Sequence, residues 1–369
     1  MIPFLTLKEQ TAKLKPEIMA ALEQVIDTQG FANGPAVEKF ENEFARYLGV
    51  KHAICVNSGT TSLHAALLCA GVGAGDDVLT VAHTWISTVW AVSYVGANPI
   101  FCDIDLDTCV MDPGELEKKL TKKTKAILPV HLYGYPVDLD AMLDFCNRKG
   151  IPLIEDAAQS IGAKYKGKQT GTFGLVNATS FYPGKNLGAF GEGGACLTDD
   201  DDHAARIRSL RDHAQRGRHH HVEVGFNWRL DGFQGAVLSV KLQHLDTWND
   251  RRRAIAKKYL AGMATLPGVR LLKAAPHADP IWHIFPIFHD ERDAFRAALE
   301  THGVQSGMHY PKPVHFQPAY KHLGLGPGAL PKSEKCAETQ ISLPMFPELT
   351  DAQADEVVRA VTSVAEELA

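Results

Sequence analysis

HAICVNSGTTSLHAALLCAGVGAGDDVLTVAHTWISTVWAVSYV, residues 52–95, decides the fold. Twice it runs from a short β-branched apolar segment into a helical pattern: His52 to Asn57 leads to Thr60 to Cys69, and Asp77 to Ala82 leads to Trp85 to Val95. Strands alternating with helices predict an α/β domain built on a mostly parallel sheet with both faces covered. Further along the chain, Pro99 to Asp103, Lys125 to His131, Pro152 to Glu155, Ala178 to Tyr182 and Ala195 to Thr198 supply more strands. Ligands of such sheets gather at the strand C-terminal ends.

Beyond this rhythm, LDGFQGAVLSVKLQHLDTWNDRRRAIAKKYLAGM predicts a long helix, and Leu266, Pro267 and Gly268 end it with a turn signal. The chain therefore divides into residues 1–245, a large α/β domain, and residues 246–369, a smaller α+β domain. In the second, GVRLLK, IWHIFPIFH and QSGMHY read as strands, and DERDAFRAALETHG and DAQADEVVRAVTSVAEEL as amphipathic helices. A length of 369 residues suits two such units.

Composition narrows the function. With 45% hydrophobic and 22% charged residues the chain reads as an ordinary globular enzyme, and no apolar run reaches the roughly 20 residues that cross a bilayer. The start, MIPFLTLKEQTAKLKPEI, lacks a basic segment followed by a long apolar one, so a cytoplasmic location is expected. Seven cysteines without a C-x-x-C pair predict buried free thiols. A net charge of -5 argues against a nucleic-acid surface while leaving room for a local anion pocket. His219-His220-His221 invites a metal reading, but adjacent side chains on an extended segment diverge and no carboxylate or thiolate spacing supports it; no metal is expected.

Three segments carry candidate chemistry. Asn57-Ser58-Gly59-Thr60-Thr61 joins a strand to a helix, where free amides and the helix dipole favour an anion. Its ordinary explanation is a helix cap. Glu155-Asp156-Ala157-Ala158-Gln159 places a carboxylate at the sheet edge, able to pair with a cationic ring nitrogen or merely to cap the next segment. Thr179-Ser180-Phe181-Tyr182-Pro183-Gly184-Lys185-Asn186-Leu187-Gly188 sets a lone lysine among glycines, where a partly desolvated amine becomes a nucleophile; most lysines are simply solvated. The order is the informative feature: phosphate cradle, carboxylate for a pyridine nitrogen, lysine for an aldehyde.

With these segments, and with Ile2-Pro3-Phe4, Gly34-Pro35, Gly225-Phe226-Asn227-Trp228-Arg229 and His309-Tyr310-Pro311, the chain resembles the DegT/DnrJ/EryC1/StrS sugar aminotransferases along nearly its whole length. The resemblance implies an aspartate-aminotransferase-like, type I pyridoxal-phosphate fold with a seven-stranded sheet in the large domain. It implies that Lys185 forms the Schiff base with pyridoxal 5'-phosphate, that Asp156 pairs with the pyridine nitrogen and that Gln159 lies near the phenolic oxygen. It further implies that Gly59, Thr60 and Ser180 hold the phosphate, that Trp85 stacks on the ring, and that Asn227 reaches the phosphate from a neighbouring subunit of a homodimer.

The implied reaction is ping-pong transfer of an amino group from an amino acid, L-glutamate by resemblance, to a nucleotide-linked keto-sugar. The segment Gly307 to Gln317 looks like the substrate-facing loop of relatives that aminate C-3, with His309, Tyr310 and His315 as sugar or diphosphate contacts. A rigid surface loop is its plainer reading. Arg208, Arg211, Arg216, Arg218 and the three histidines form a basic stretch, either solvated or directed at a diphosphate across the dimer. Alternatives are a C-4 keto-sugar or keto-cyclitol acceptor, and a cofactor-binding sensor without turnover; Lys185 argues against relatives that carry histidine there and remove a hydroxyl instead.

Overall fold

The computed structural model describes residues 1–369. Its central layer is a sheet in the order Asn98–Cys102, Asp77–Val81, Thr124–Ile127, segment 153–156, Asn177–Ser180, Gly194–Thr198 and His52–Val56. These are the seven expected strands. The first five pair in parallel, segment 153–156 through bridges from Ile127 to Leu153 and from Asp156 to Ala178. Gly194–Thr198 alone runs against its neighbours. Its connection from Asn177–Ser180 forms no helix that could cover a parallel crossover, so the chain turns back, and that turn holds Lys185.

Alternation along His52–Val56 shows how the layers form. Ala53 and Cys55 face a cluster with Phe40, Phe44 and Leu238 from helices Pro35–Leu48 and Gly232–Leu242. Ile54 and Val56 face the other way, toward Leu63 and Ile207 of helices Gly59–Cys69 and Asp201–Arg211. On the first face, Phe181 meets Phe40 and Phe44 edge-on, with ring centres 5.3 Å apart. Each such buried ring contributes about 2–3 kcal/mol. This packing anchors the strand that leads into the lysine turn.

The C-terminal part is a three-stranded antiparallel sheet, Gln340–Leu343, Phe285–Phe288 and Arg270–Leu271, backed by helices Arg292–Thr301 and Asp351–Glu367. Thr350 and Gln353 form a capping box at the start of the last helix. One apolar cluster runs continuously from Leu79 and Ile127 in the large sheet to Ile287 in the small one and Val361 in the helix behind it.

Two sequence expectations need correction. QSGMHY is not a strand: its backbone pairs with the small sheet only at the bridge between Gly307 and Ser342. Arg296 holds the Ser306 carbonyl and hydroxyl and the Met308 sulfur, and Pro311 and Pro313, just beyond, have no N–H for a ladder. The long helix is two, Gly232–Leu242 and Leu245–Met263, separated at Gln243 and His244. The chain start also does more than expected, since Ile2 bridges Val304 before helix Lys8–Thr28 begins. No helix is long and apolar enough to cross a membrane.

Candidate active site

A cavity of about 530 Å3 lies at the C-terminal ends of the central strands, with walls from both the large sheet and the C-terminal part. On one side is the N-terminus of helix Gly59–Cys69. Ser58 caps it, its hydroxyl accepting the Thr61 N–H at 3.1 Å. The amides of Gly59 and Thr60 precede any intrahelical acceptor and are free for an anion. Ser180 packs so tightly here that a Cβ on Gly59 would lie 2.7 Å from the Ser180 Cβ. Thr60 donates its hydroxyl to Ser87 at 2.9 Å. Gly59, Thr60 and Ser180 thus meet in one concave corner.

The carboxylates at the end of segment 153–156 have opposite fates, because successive side chains leave a strand on opposite faces. Glu155, fully buried, contacts His131 at 2.8 Å and accepts amide hydrogens from Gly171, Phe173 and Gly174. Burial pushes its pKa up, but His131 and the amides outweigh that and hold it below the usual carboxylate range. Glu155 is structural. Asp156 lines the cavity and accepts from the Thr88 hydroxyl at 2.8 Å and the Ala158 amide at 3.1 Å. Burial raises its pKa despite those donors. A cation brought beside it would reverse that shift.

Lys185 lies across the same cavity. Burial pulls its pKa down to about 8, partly opposed by the Asp156 charge. Gln159 is clamped, its Oε1 accepting from the Tyr133 amide at 2.7 Å and its Nε2 donating to the Tyr310 hydroxyl at 3.2 Å. Trp85 stands 55% exposed at the wall, tilted against Tyr310 with ring centres 5.5 Å apart. His309 completes this side, stacked on Phe4 at 5.5 Å.

Three of the residues singled out lie outside this cavity, Asn227 among them as a residue expected to reach a neighbouring subunit would. Asn227 does not line this cavity; it sits exposed in a separate recess with Asn57 and Arg229. His315 is buried against Phe101 and Phe316, with Nε2 3.2 Å from Glu334, because the helical turn Val314–Phe316 directs it into the fold and away from the cavity. Arg211 is no part of a solvated basic stretch: it is buried, bonded to Glu41 and to the Cys55 carbonyl.

Among the cavity residues that escaped the sequence reading, Thr88 and His283 matter most to the site. Thr88 supports Asp156, and its only signal is a hydroxyl in the first turn of an apolar helix. His283 interrupts the apolar run IWHIFPIF, the kind of polar intrusion that marks a lining residue. Chemically, the arrangement offers an anion cradle, a buried carboxylate, an activated amine and a flat aromatic wall around one volume.

The model of the DegT/DnrJ/EryC1/StrS aminotransferase family matches residues 12–362. A dTDP-3-amino-3,4,6-trideoxy-alpha-D-glucose transaminase of Streptomyces venezuelae is 45% identical over 365 residues, covering 99% of this chain and 96% of the relative. The crystal structure of S. venezuelae DesV in complex with a ketimine intermediate superposes with a TM-score of 0.97 at 45% identity, covering 99% and 98% of the two chains. The crystal structure of NtdA from Bacillus subtilis with its bound cofactor PMP gives a TM-score of 0.91 at 30% identity, covering 99% and 85%.

Proposed function

The chain belongs to the DegT/DnrJ/EryC1/StrS aminotransferase family, and from that premise we propose that it transfers an amino group from L-glutamate to C-3 of a nucleotide-linked keto-sugar, using pyridoxal phosphate. The observation that carries this reading is the meeting of free helix amides, the Asp156 carboxylate and the Lys185 amine around one cavity. The similarity to a C-3 sugar transaminase and to a PMP-bound structure supports the substrate and the cofactor.

The residues fit the cofactor. Gly59, Thr60 and Ser180 would hold its phosphate, Trp85 would lie against its ring, and Asp156 would face its ring nitrogen, where a pyridinium charge offsets the burial that otherwise raises the Asp156 pKa. When bound, pyridoxal phosphate supplies an aldehyde to carry the amino group and a protonated ring to hold the electron pair released at the donor's α-carbon. The protein supplies the rest. At pH 7 an amine with a pKa of about 8 is unprotonated in about a tenth of molecules, so Lys185 Nζ can take a proton from carbon and return it. Thr88 and the Ala158 amide keep Asp156 oriented, and Gln159 fixes Tyr310 at the cavity wall.

Two features support a two-fold homodimer with shared sites. Asn227 lies outside its own chain's cavity, and Trp85 and Tyr182 leave their rings 55% exposed at the mouth. Residues 1–245 and 246–369 act as the two domains that enclose the cleft, and the buried free thiols suit the cytoplasm.

The test is the visible spectrum of the purified protein with pyridoxal phosphate, before and after L-glutamate and then a dTDP-linked 3-keto sugar, beside Lys185→Ala. The lysine-bound band should give way to that of the pyridoxamine form and return with the ketone, and Lys185→Ala should never show it. A protein that binds cofactor but answers no amino donor is a sensor; one that returns only with a 4-keto sugar or a keto-cyclitol refutes the C-3 assignment.

A further inference from the structure

His283 and His309 both line the cavity, and each is tied by its Nδ1 to a polar chain that ends on a backbone group. The ends fix everything between them. Behind His283, Asn249 Nδ2 donates to the Ile161 carbonyl at 3.1 Å, so Asn249 Oδ1 is the acceptor facing Asn186. Asn186 must then donate with Nδ2, at 2.8 Å, and turn its Oδ1 toward His283. Only a protonated His283 Nδ1 satisfies that oxygen at 3.0 Å, which leaves Nε2 with a bare lone pair.

Behind His309 the parity is reversed. Gln340 Oε1 accepts the His309 backbone N–H at 2.7 Å, so Gln340 Nε2 donates to Ser342 Oγ at 2.7 Å. Ser342 is fully buried, and His309 Nδ1, 2.8 Å away, is the acceptor within reach of its hydroxyl hydrogen. The hydroxyl donates, and His309 carries its own proton on Nε2. Neither Nε2 has a protein partner, nor is either among the sealed, unpartnered atoms, so both are open to the cavity.

Resting on the proposed aminotransferase reading, we infer that these rings form a tautomer-locked recognition pair: His309 presents an N–H and His283 a lone pair, so the ketone taken up carries a hydrogen-bond donor, hydroxyl or amide, on a carbon adjoining the one aminated. The N–H suits the carbonyl oxygen, whereas the lone pair is satisfied only by a donor. The donor is placed near the aminated carbon because both rings line the same cavity as Lys185 and lie within reach of its charge. Burial also pulls His309 down to about 4 and His283 well below its ordinary range, with Lys185 adding to both, so both rings are neutral at pH 7. A ketone lacking the donor leaves a desolvated nitrogen unpaired.

Neutron diffraction from deuterium-exchanged crystals of the full-length protein reads the lock directly. Deuterium is expected on His283 Nδ1, His309 Nε2 and Ser342 Oγ; deuterium on His283 Nε2 or His309 Nδ1 overturns the proposal. The recognition claim is read from the ratio of kcat/KM for a dTDP-linked 3-keto sugar with its C-2 hydroxyl and for the 2-deoxy counterpart. Wild type should favour the hydroxylated ketone about 10- to 100-fold, and His283→Phe should bring the ratio close to one. A wild-type ratio near one, or an unchanged ratio in His283→Phe, refutes recognition. If the deuterium pattern holds but neither ketone turns over, the keto-sugar reading fails and takes the recognition claim with it, leaving the lock alone.

Discussion

Replacing Thr88 by valine changes almost no volume but removes the hydroxyl that holds Asp156. Thr88 donates to Asp156 at 2.8 Å and is 2.9 Å from the Thr84 hydroxyl; having given its own hydrogen to the carboxylate, it accepts from Thr84. The variant loses a hydrogen bond to a charged group, worth about 1.5–3 kcal/mol to the ionised form. That corresponds to roughly one to two pKa units, upward, on a carboxyl that burial has already raised. Ala158 N–H, at 3.1 Å, is the donor that remains. Because ionised Asp156 is what the ring nitrogen requires, the acid limb of the L-glutamate half-reaction should move up by about one to two pH units, measured by stopped-flow absorbance. Thr88→Ser, which keeps the hydroxyl, should restore the wild-type limb. The orphaned Thr84 hydroxyl should cost a further ~1–3 kcal/mol of stability in urea. An acid limb unmoved in Thr88→Val, with cofactor bound, would sink this account of Asp156.

Other outcomes follow from the same packing. Gly59→Ala would push a methyl to within 2.7 Å of the Ser180 Cβ, so cofactor affinity by fluorescence titration should fall at least about tenfold; equal affinity would show that the corner does not hold the phosphate. Glu41→Ala should cost about 3–5 kcal/mol in urea unfolding, because it leaves the Arg211 cation buried with only the Cys55 carbonyl, whereas Glu41→Leu combined with Arg211→Met should recover most of that loss. His309 has a folded pKa of about 4 against an ordinary 6.5, so between those values the unfolded chain binds a proton that the folded chain does not. Its stabilising effect is complete above pH 6.5 and is lost as pH falls toward 4, on the order of 3 kcal/mol; His309→Gln should lose correspondingly less stability than wild type between pH 7.5 and 4.5.

The large sheet was legible because each strand declares itself locally: Asp77–Val81 and Gly194–Thr198 are apolar runs bounded by turn residues, buried at every position. The cavity's landmarks were legible for a related reason, since Gly59, Asp156 and Lys185 all lie where a strand ends, and strand ends in such sheets converge. What stayed hidden depends on contacts distant in the chain. QSGMHY has the composition of a strand, but its neighbours Arg296 and Ser342 let it pair at one residue only. His315 looks like His309 in the sequence, six residues after it in the same loop, yet a single helical turn sends it to Glu334. Asn186, Asn249 and Ile161 form one chain of hydrogen bonds from three separate segments, and no local pattern announces that.

The opposed fates of Glu155 and Asp156 also make the strand a counting device. Losing or gaining one residue between Gly150 and Ile154 would leave composition and hydrophobicity almost untouched, yet a gain would set Glu155 in the place of Asp156 and a loss would strand Asp156 against His131 with Ala157 in its place. Length here is therefore constrained more strictly than identity: Leu153 and Ile154 can be exchanged for other apolar residues, while a one-codon insertion or deletion in this stretch should be as damaging as the loss of the lysine itself.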